Sequence, residues 1–475
     1  MNAGDTLALL PLLLIAGTAA VVMLAIAIRR SHALTAILTL AGLAATFASV
    51  LAIAPLVPRQ VTPLLLIDRY ALFYIGLITA SSAAVAILSF QYLESHAAQR
   101  EELYLLLLLA TLGCAVLAAS VHFVSFILGL EILSVSLYAM VAYFSDREHS
   151  LEAGIKYLIL ASVSAAFLLF GAALIYADTG TLAFSPVREL SLGGSRMAFV
   201  VTGIALTVTG IGFKLGVVPF HLWTPDVYEG SPSPVTAFVA TASKTAVIAL
   251  LVRYLSSGAM RSPPVFYVFS VMAIASMFAG NLLALRQTNV KRILAYSSIA
   301  HFGYILVAFL AGSAIAAAAV GFYLVAYTVT LLAAFGIVGV LSGPERDAGS
   351  LEQYRGLFWR RPVIAGIFTA ALFSLAGIPA TMGFLGKFYV LTSAAAASAW
   401  ALMIVLVITS VAGLFYYLRI VVALYSAPPE HVGEHPGLAR ASALVLGALA
   451  ILLILFGVYP APLLDLIRST LVLIG

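Results

Sequence analysis

Fourteen continuous apolar runs, each roughly twenty residues long, follow one another along most of this chain. Hydrocarbon offers no partner to a backbone N–H or C=O, so runs of this length must close their hydrogen bonds internally, as helices. A membrane β-barrel would alternate apolar and polar residues instead, and these runs do not alternate. The runs cover 6–28, 34–56, 70–93, 101–119, 122–144, 151–176, 197–223, 233–255, 264–285, 291–311, 314–341, 362–395, 398–425 and 439–459. Only 9% of residues are charged, against about 25% in soluble domains. The reading is an all-α polytopic membrane protein with about 14 transmembrane helices. The segment 461–474 is read as an interfacial appendage of the last helix.

Several function classes fall away at once. The net charge is +5, yet no basic patch carries interleaved aromatics, so nucleic acid is not a partner. Cys114 is the only cysteine, which excludes disulfides, zinc sites and cysteine-ligated iron–sulfur clusters within the chain. No dinucleotide fingerprint or intramembrane histidine pairing appears. Two apolar runs separated by Arg29 and Arg30 read as a first helix pair rather than a cleavable signal.

The arginines and lysines between runs orient the chain. With an even number of spans, both termini share a side. If that side is external, Arg29, Arg30, Arg100, Arg147, Arg286, Lys291, Arg292, Arg346, Arg355, Arg360, Arg361 and Arg440 lie inside. Arg59, Arg69, Arg188, Arg196, Arg253, Arg261 and Arg468 lie outside. Positive residues favour the cytoplasmic side, so both termini are placed outside.

The chemistry sits where the apolar runs are interrupted. The chain has five lysines, four of them inside apolar spans. A charged side chain at the membrane centre costs about 2.5–3.5 kcal/mol on insertion scales, so such residues mark function or pair with one another. The stretch GIGFKLGVVPFHLWTPDVYEGSPSP (210–234) carries Lys214 and His221 beside Pro219. Proline removes a donor and breaks the seventh helix. The twelfth span repeats the pattern, with Gly377, Pro379, Gly383 and Gly386 around Lys387. Interrupted spans in corresponding halves point to inverted repeats with discontinuous helices. The expected organisation is 1–98 as helices one to three, 99–258 as a first repeat (helices four to eight), 259–428 as an inverted second repeat (helices nine to thirteen), and 429–475 as helix fourteen with its tail.

Glu131 lies in the middle of the fifth span, and an isolated carboxylate there would neutralise. Pairing with Lys214 would let both stay ionised, and making or breaking that pair would switch Lys214 between keeping and releasing a proton. Lys244, with Thr241, Ser243 and Thr245 around it, is too deep to reach the surface. Lys156 lies a shallow turn inside the sixth span and either snorkels or faces Glu131. His301 shares a helix face with Ser297 by i,i+4 spacing, as a relay or as a hydrogen-bonded core residue. His221 is a relay or a turn histidine. Tyr323, Tyr327, Thr328 and Thr330 form a mildly polar stripe with no assigned role.

Four stretches carry a resemblance: GLEILSVSLYAM around Glu131, GIGFKLGVVPFHLWTPDVYEGSPSPVTAFVATASKTAV around Lys214 and Lys244, NLLALRQTNVKRILAYSSIAHFGY around His301, and GIPATMGFLGKF around Lys387. They resemble the antiporter-like proton-translocating membrane subunits of respiratory complex I, which are related to subunits of multisubunit sodium/proton antiporters. The resemblance covers essentially the whole chain. It implies fourteen helices, external termini, a bacterial inner membrane, and a proton relay of Glu131, Lys214, Lys244, Lys387 and Lys156 with His301 and His221. It implies a translocase subunit that couples NADH oxidation and quinone reduction to proton movement. NADH, FMN, iron–sulfur clusters and quinone would belong to partner subunits, the neighbouring antiporter-like and small membrane subunits among them. This chain would carry no cofactor. The length leaves no room for the long lateral helix of some members, and lysine at 387 separates it from members with glutamate there. A subunit of a sodium/proton antiporter or of a membrane-bound hydrogenase is the alternative.

Overall fold

A computed structural model describes residues 3–96, 99–184, 197–255, 263–312, 314–343, 346–428 and 437–471. Arg188, Arg196 and Arg261, used above to orient the chain, lie outside them. The apolar runs become α1 (Leu10–Ile28), α2 (His32–Ile53), α3 (Arg69–His96), α4 (Glu102–Ala119), α5 (Phe123–Val141) and α6 (Glu148–Thr179). Next come α7 (Met197–Leu215), α8 (Trp223–Gly230), α9 (Ser233–Phe238) and α10 (Lys244–Leu255). The second half holds α11 (Pro263–Leu285), α12 (Val290–Leu310), α13 (Ala314–Leu341), α14 (Pro362–Ala376), α15 (Met382–Ala396), α16 (Trp400–Tyr425), α17 (Arg440–Val458) and α18 (Ala461–Leu471). Among the described residues, thirteen helices are long and apolar enough to cross a membrane, and α14 is a shorter apolar helix.

Four details differ from the sequence reading. The seventh run does not continue to residue 223. α7 stops at Leu215, Gly216 takes φ 70°, and the chain turns before α8. The eighth run is not one regular helix, because a π-helical turn at Val239–Ser243 separates α9 from Lys244. Such turns shift the register of everything that follows, and apolar periodicity carries no trace of one. A short antiparallel hairpin, Arg59–Thr62 with Leu65–Ile67, caps the bundle between α2 and α3. The last segment is a helix, α18, packed on α3 and α13.

The α9–α10 segment, α12 and α13 form the buried centre, and α1, α6, α16 and α17 lie outside with much of their apolar surface exposed. Large exposed side chains on these outer helices suit lipid or neighbouring subunits rather than water. Small residues bring backbones together. A Cβ on Gly171 would meet the Gly203 carbonyl at 2.7 Å, and one on Gly203 would meet the Gly171 carbonyl at 2.8 Å. Only glycine allows α6 and α7 to approach this closely.

The two faces of the bundle are tied differently. On one, Asp68 caps α3 by accepting from Ala71 N and grips Arg253 of α10 with both oxygens, at 2.7 and 3.0 Å. The Arg253 guanidinium also stacks 4.9 Å from the Tyr70 ring centroid. On the other, residues 349–351 run along 288–290, with Val290 N donating to Gly349 O and Leu351 N to Thr288 O. Asn289 accepts from Lys291 N and Arg292 N and so starts α12.

Breaking the buried Asp68–Arg253 pair takes the carboxylate partner from a buried guanidinium, a loss that costs about 3–5 kcal/mol. Asp68→Ala is therefore expected to lower the thermal midpoint and the membrane yield of the subunit. Differential scanning and quantitative immunoblotting check this, and an unchanged midpoint refutes the clasp.

Candidate functional site

The end of α7 places Lys214 inside the bundle, 3% exposed. Its Nζ donates to Ser134 Oγ of α5 at 3.0 Å and lies 2.8 Å from Tyr157 OH of α6. The break that follows frees backbone carbonyls, as the end of any helix does. Trp223 of α8 folds back over it, and its Nε1 donates to Phe213 O at 2.8 Å.

The expected direct Glu131–Lys214 ion pair is not formed. Glu131 is half-buried and makes no hydrogen bond or ion pair among the described residues. Ser134, one turn further along the same face of α5, takes the ammonium in its place, together with Tyr157. Glu131 remains near enough to act on Lys214 through space.

Lys156 does not face Glu131 either. Its side chain is 44% exposed and pairs with Glu152 at 2.7 Å and Asp226 at 2.8 Å. Asp226 also binds Arg292 at 2.9 Å, and Arg292 binds Glu229 at 2.7 Å. α8 thus has a charged outer face held to α6 and α12, and an inner face of Trp223, Val227 and Tyr228.

Lys244 is completely buried. Its Nζ donates to Ser298 Oγ of α12 at 2.8 Å and sits 4.6 Å from the Phe302 ring centroid, 5.5 Å from that of Tyr228 and 5.9 Å from that of Trp223. Aromatic faces attract cations, which offsets part of the lost hydration. Thr241 and Thr245 turn elsewhere, to Ala237 O and Thr328. Ser298 also meets Tyr327 OH at 2.7 Å and Tyr228 OH at 3.3 Å.

One turn on, His301 is held at both ring nitrogens, Nδ1 by Tyr323 OH at 2.7 Å and Nε2 by Tyr417 OH at 3.0 Å. Ser297 contacts the same Tyr417 hydroxyl, as i,i+4 spacing requires. The His301 ring lies 5.6 Å from Tyr327 and 5.4 Å from Tyr304, centroid to centroid.

Lys387 of α15 reaches back across the second break. Its Nζ donates to Leu375 O at 2.8 Å, Ala376 O at 2.9 Å and Ser410 Oγ at 2.8 Å. The two carbonyls belong to the C-terminal end of α14, where the helix dipole favours a cation. The ammonium lies 5.3 Å from the Tyr304 ring centroid. A continuous buried line follows: Lys214, Tyr157 and Trp223, Lys244, Ser298, Tyr327, His301, Tyr304, Lys387.

His221 is not on it. It is half-buried in the turn before α8, and its Nδ1 has no hydrogen-bond partner among the described residues.

The two breaks are not equivalent in the way the sequence pattern implied. Lys214 precedes its left-handed glycine, whereas Lys387 follows its own. The lysine ammonium that lies against Gly216 is Lys244, 3.5 Å from where a Cβ would stand; at Gly377 it is Lys387, at 3.3 Å.

Lys291 was counted above among the cations of an internal turn between apolar runs. It is 1% exposed. Its Nζ donates to Asp347 Oδ2 at 2.7 Å and Ser231 O at 2.6 Å. Asp347 also accepts from Tyr92 OH at 2.6 Å and from Ser233 Oγ. Burial pushes the Asp347 carboxyl up, but Lys291 and the two hydroxyls outweigh it and hold it below the usual carboxylate range.

Sequence reasoning also passed over Ser134, Tyr157, Ser410 and Tyr417, which hold the lysines and His301. Serine and tyrosine are too common in membrane helices to stand out. Among the described residues, no three His, Cys, Asp or Glu side chains gather as a metal site.

Residues 120–413 match the family model described as NADH:quinone oxidoreductase/Mrp antiporter, transmembrane. The chain is 47% identical to an NADH-quinone oxidoreductase subunit N from Ectopseudomonas mendocina, over 98% of this chain and 97% of that protein. It is 51% identical to another of that name from Nitrosospira multiformis, over 98% and 96%. A chain of respiratory complex I from Thermus thermophilus superposes with a TM-score of 0.83 at 34% identity, over 96% of this chain and 98% of that one. The chain belongs to the antiporter-like membrane-subunit family of NADH:quinone oxidoreductases and Mrp antiporters, among its subunit N members. It is a proton-translocating membrane subunit.

The break at Gly377, with φ 85°, needs glycine both for its backbone and for the Lys387 side chain beside it. Gly377→Ala is expected to cost about 1–2 kcal/mol from the left-handed backbone alone and to displace Lys387. Thermal unfolding of the assembled complex and its proton pumping should fall together; normal values of both refute the assignment.

Proposed function

We propose that the buried line is a proton relay, with Lys214, Lys244 and Lys387 as proton-carrying groups and Ser298, Tyr327 and His301 between the last two. One observation carries this reading. Three ammonium groups are buried in the middle of a membrane bundle, and among the described residues none has a carboxylate partner. Isolated charges are expensive there, and hydroxyls, which both donate and accept, suit a group that changes protonation state. Glu131 modulates Lys214 through space, and closing the gap between them favours the protonated lysine. Lys156 anchors α8 from outside the line. His221 is assigned to the turn.

In this reading α14 and α15 together make one broken crossing, for fourteen in all. Residues 99–258 and 259–428 are the two inverted repeats, flanked by 1–98 and 429–475. The chain lies in the bacterial inner membrane with both termini in the periplasm. Its partners are the other membrane and peripheral subunits of an NADH:quinone oxidoreductase. Those partner subunits hold NADH, FMN, the iron–sulfur clusters and the quinone, and their redox chemistry drives the relay. Support comes from near-complete coverage at 47–51% identity to relatives named as subunit N of that enzyme.

Lys244→Ala removes the central group. The variant complex, assembled and reconstituted in vesicles, is expected to lose at least tenfold in proton pumping. A pH-sensitive dye measures this during NADH oxidation. Undiminished pumping sinks the relay.

A further inference from the structure

The loop face carries a cavity of about 850 Å³. Arg147, His149, Glu229, Asn289, Lys291 and Asp347 are among its lining residues. The Lys291–Asp347 pair lies almost wholly inside the protein, 1% and 9% exposed at the side chains, yet both residues border this space. The cavity thus ends on a buried base and a buried acid in contact.

α12 leads inward from there. Lys291 and Ser298 are seven residues apart, so they share a helix face two turns apart, about 10 Å along the axis. Ser298 holds the Lys244 ammonium at 2.8 Å. Further polar groups contact each end. Ser231, whose carbonyl accepts from Lys291, has its Oγ 2.7 Å from Thr236 Oγ1, and Tyr228 OH reaches Ser298.

We propose that Lys291 and Asp347 form the proton-uptake site that loads Lys244 from this cavity. The proposal rests on the relay reading above. Lys291 gives one N–H proton inward along α12, and neutral Lys244 receives it. As Lys291 gives up its charge, the neighbouring cation no longer disfavours protonation, and Asp347 takes a proton from the cavity, forming an O–H bond. Asp347 returns its proton to the neutral Lys291 amine and the pair re-forms. The net change is one proton moved from the cavity to Lys244.

A purely structural clasp makes a different prediction from a proton carrier, and arginine separates them. Lys291→Arg keeps a cation beside Asp347 but cannot release a proton in a protein. The test uses the whole complex in vesicles and measures assembly, NADH:quinone turnover and protons pumped per NADH. Lys291→Arg is expected to assemble and to pump at least fivefold less. Asp347→Asn keeps the side-chain shape, removes the acid, and serves as the second variant should the arginine side chain not fit. The same fivefold loss is expected. Normal pumping by either assembled variant beside a defective Lys244→Ala overturns the uptake site and leaves the relay standing. Normal pumping by Lys244→Ala as well overturns the relay and the uptake site together.

Discussion

A lysine ammonium in hydrocarbon must find all of its partners in protein, and the rest of this fold follows from that demand. Water is not there to compensate a poor arrangement, so each lysine needs an acceptor at hydrogen-bond distance and, where possible, an aromatic face. The bundle meets the demand by breaking helices. An intact helix keeps its carbonyls to itself. At Gly377 the end of α14 releases two of them, and Lys387 takes both. At Gly216 the chain turns and brings Trp223 and Tyr228 over Lys244, with the Trp223 indole donating to the Phe213 carbonyl.

Charges and carboxylates are sorted by depth. Ion pairs sit at the two faces: Asp68 with Arg253 on one, Lys291 with Asp347 and the Lys156–Asp226–Arg292–Glu229 chain on the other. In the middle the lysines meet only hydroxyls, carbonyls and rings. A carboxylate in contact would hold a lysine in its charged form; neutral partners bind it without fixing its charge. This sorting suits Asp68–Arg253 and the Lys156–Asp226–Arg292–Glu229 chain to tying helices together and the central groups to exchanging a proton. Glu131, half-buried and out of contact with Lys214, is a carboxylate placed between these regimes.

α12 connects the two. It begins at the loop face with Asn289 and Lys291, passes Ser297 and Ser298 two turns in, and reaches His301. Helices from both halves of the chain pack around it, and that is why the line from Lys214 to Lys387 crosses from one half to the other at Ser298.

By itself the sequence determined that this chain spans a membrane as helices, that the seventh and twelfth spans are broken, and that Lys244 is too deep to reach water. Those conclusions need only the length of apolar runs, the conformational limits of proline and glycine, and the cost of charge in hydrocarbon, all of which act locally along the chain. Only the tertiary structure decided who partners whom. Ser134 and Tyr157 hold Lys214 where Glu131 was expected, Lys156 turns outward to Asp226, and Lys291, counted only as a cation of an internal turn, is buried against Asp347. A π-helical turn before Lys244 rotates it toward Ser298. A hydrogen bond forms across helices tens of residues apart, and a shift of one residue in register selects a different neighbour; no local pattern records that choice.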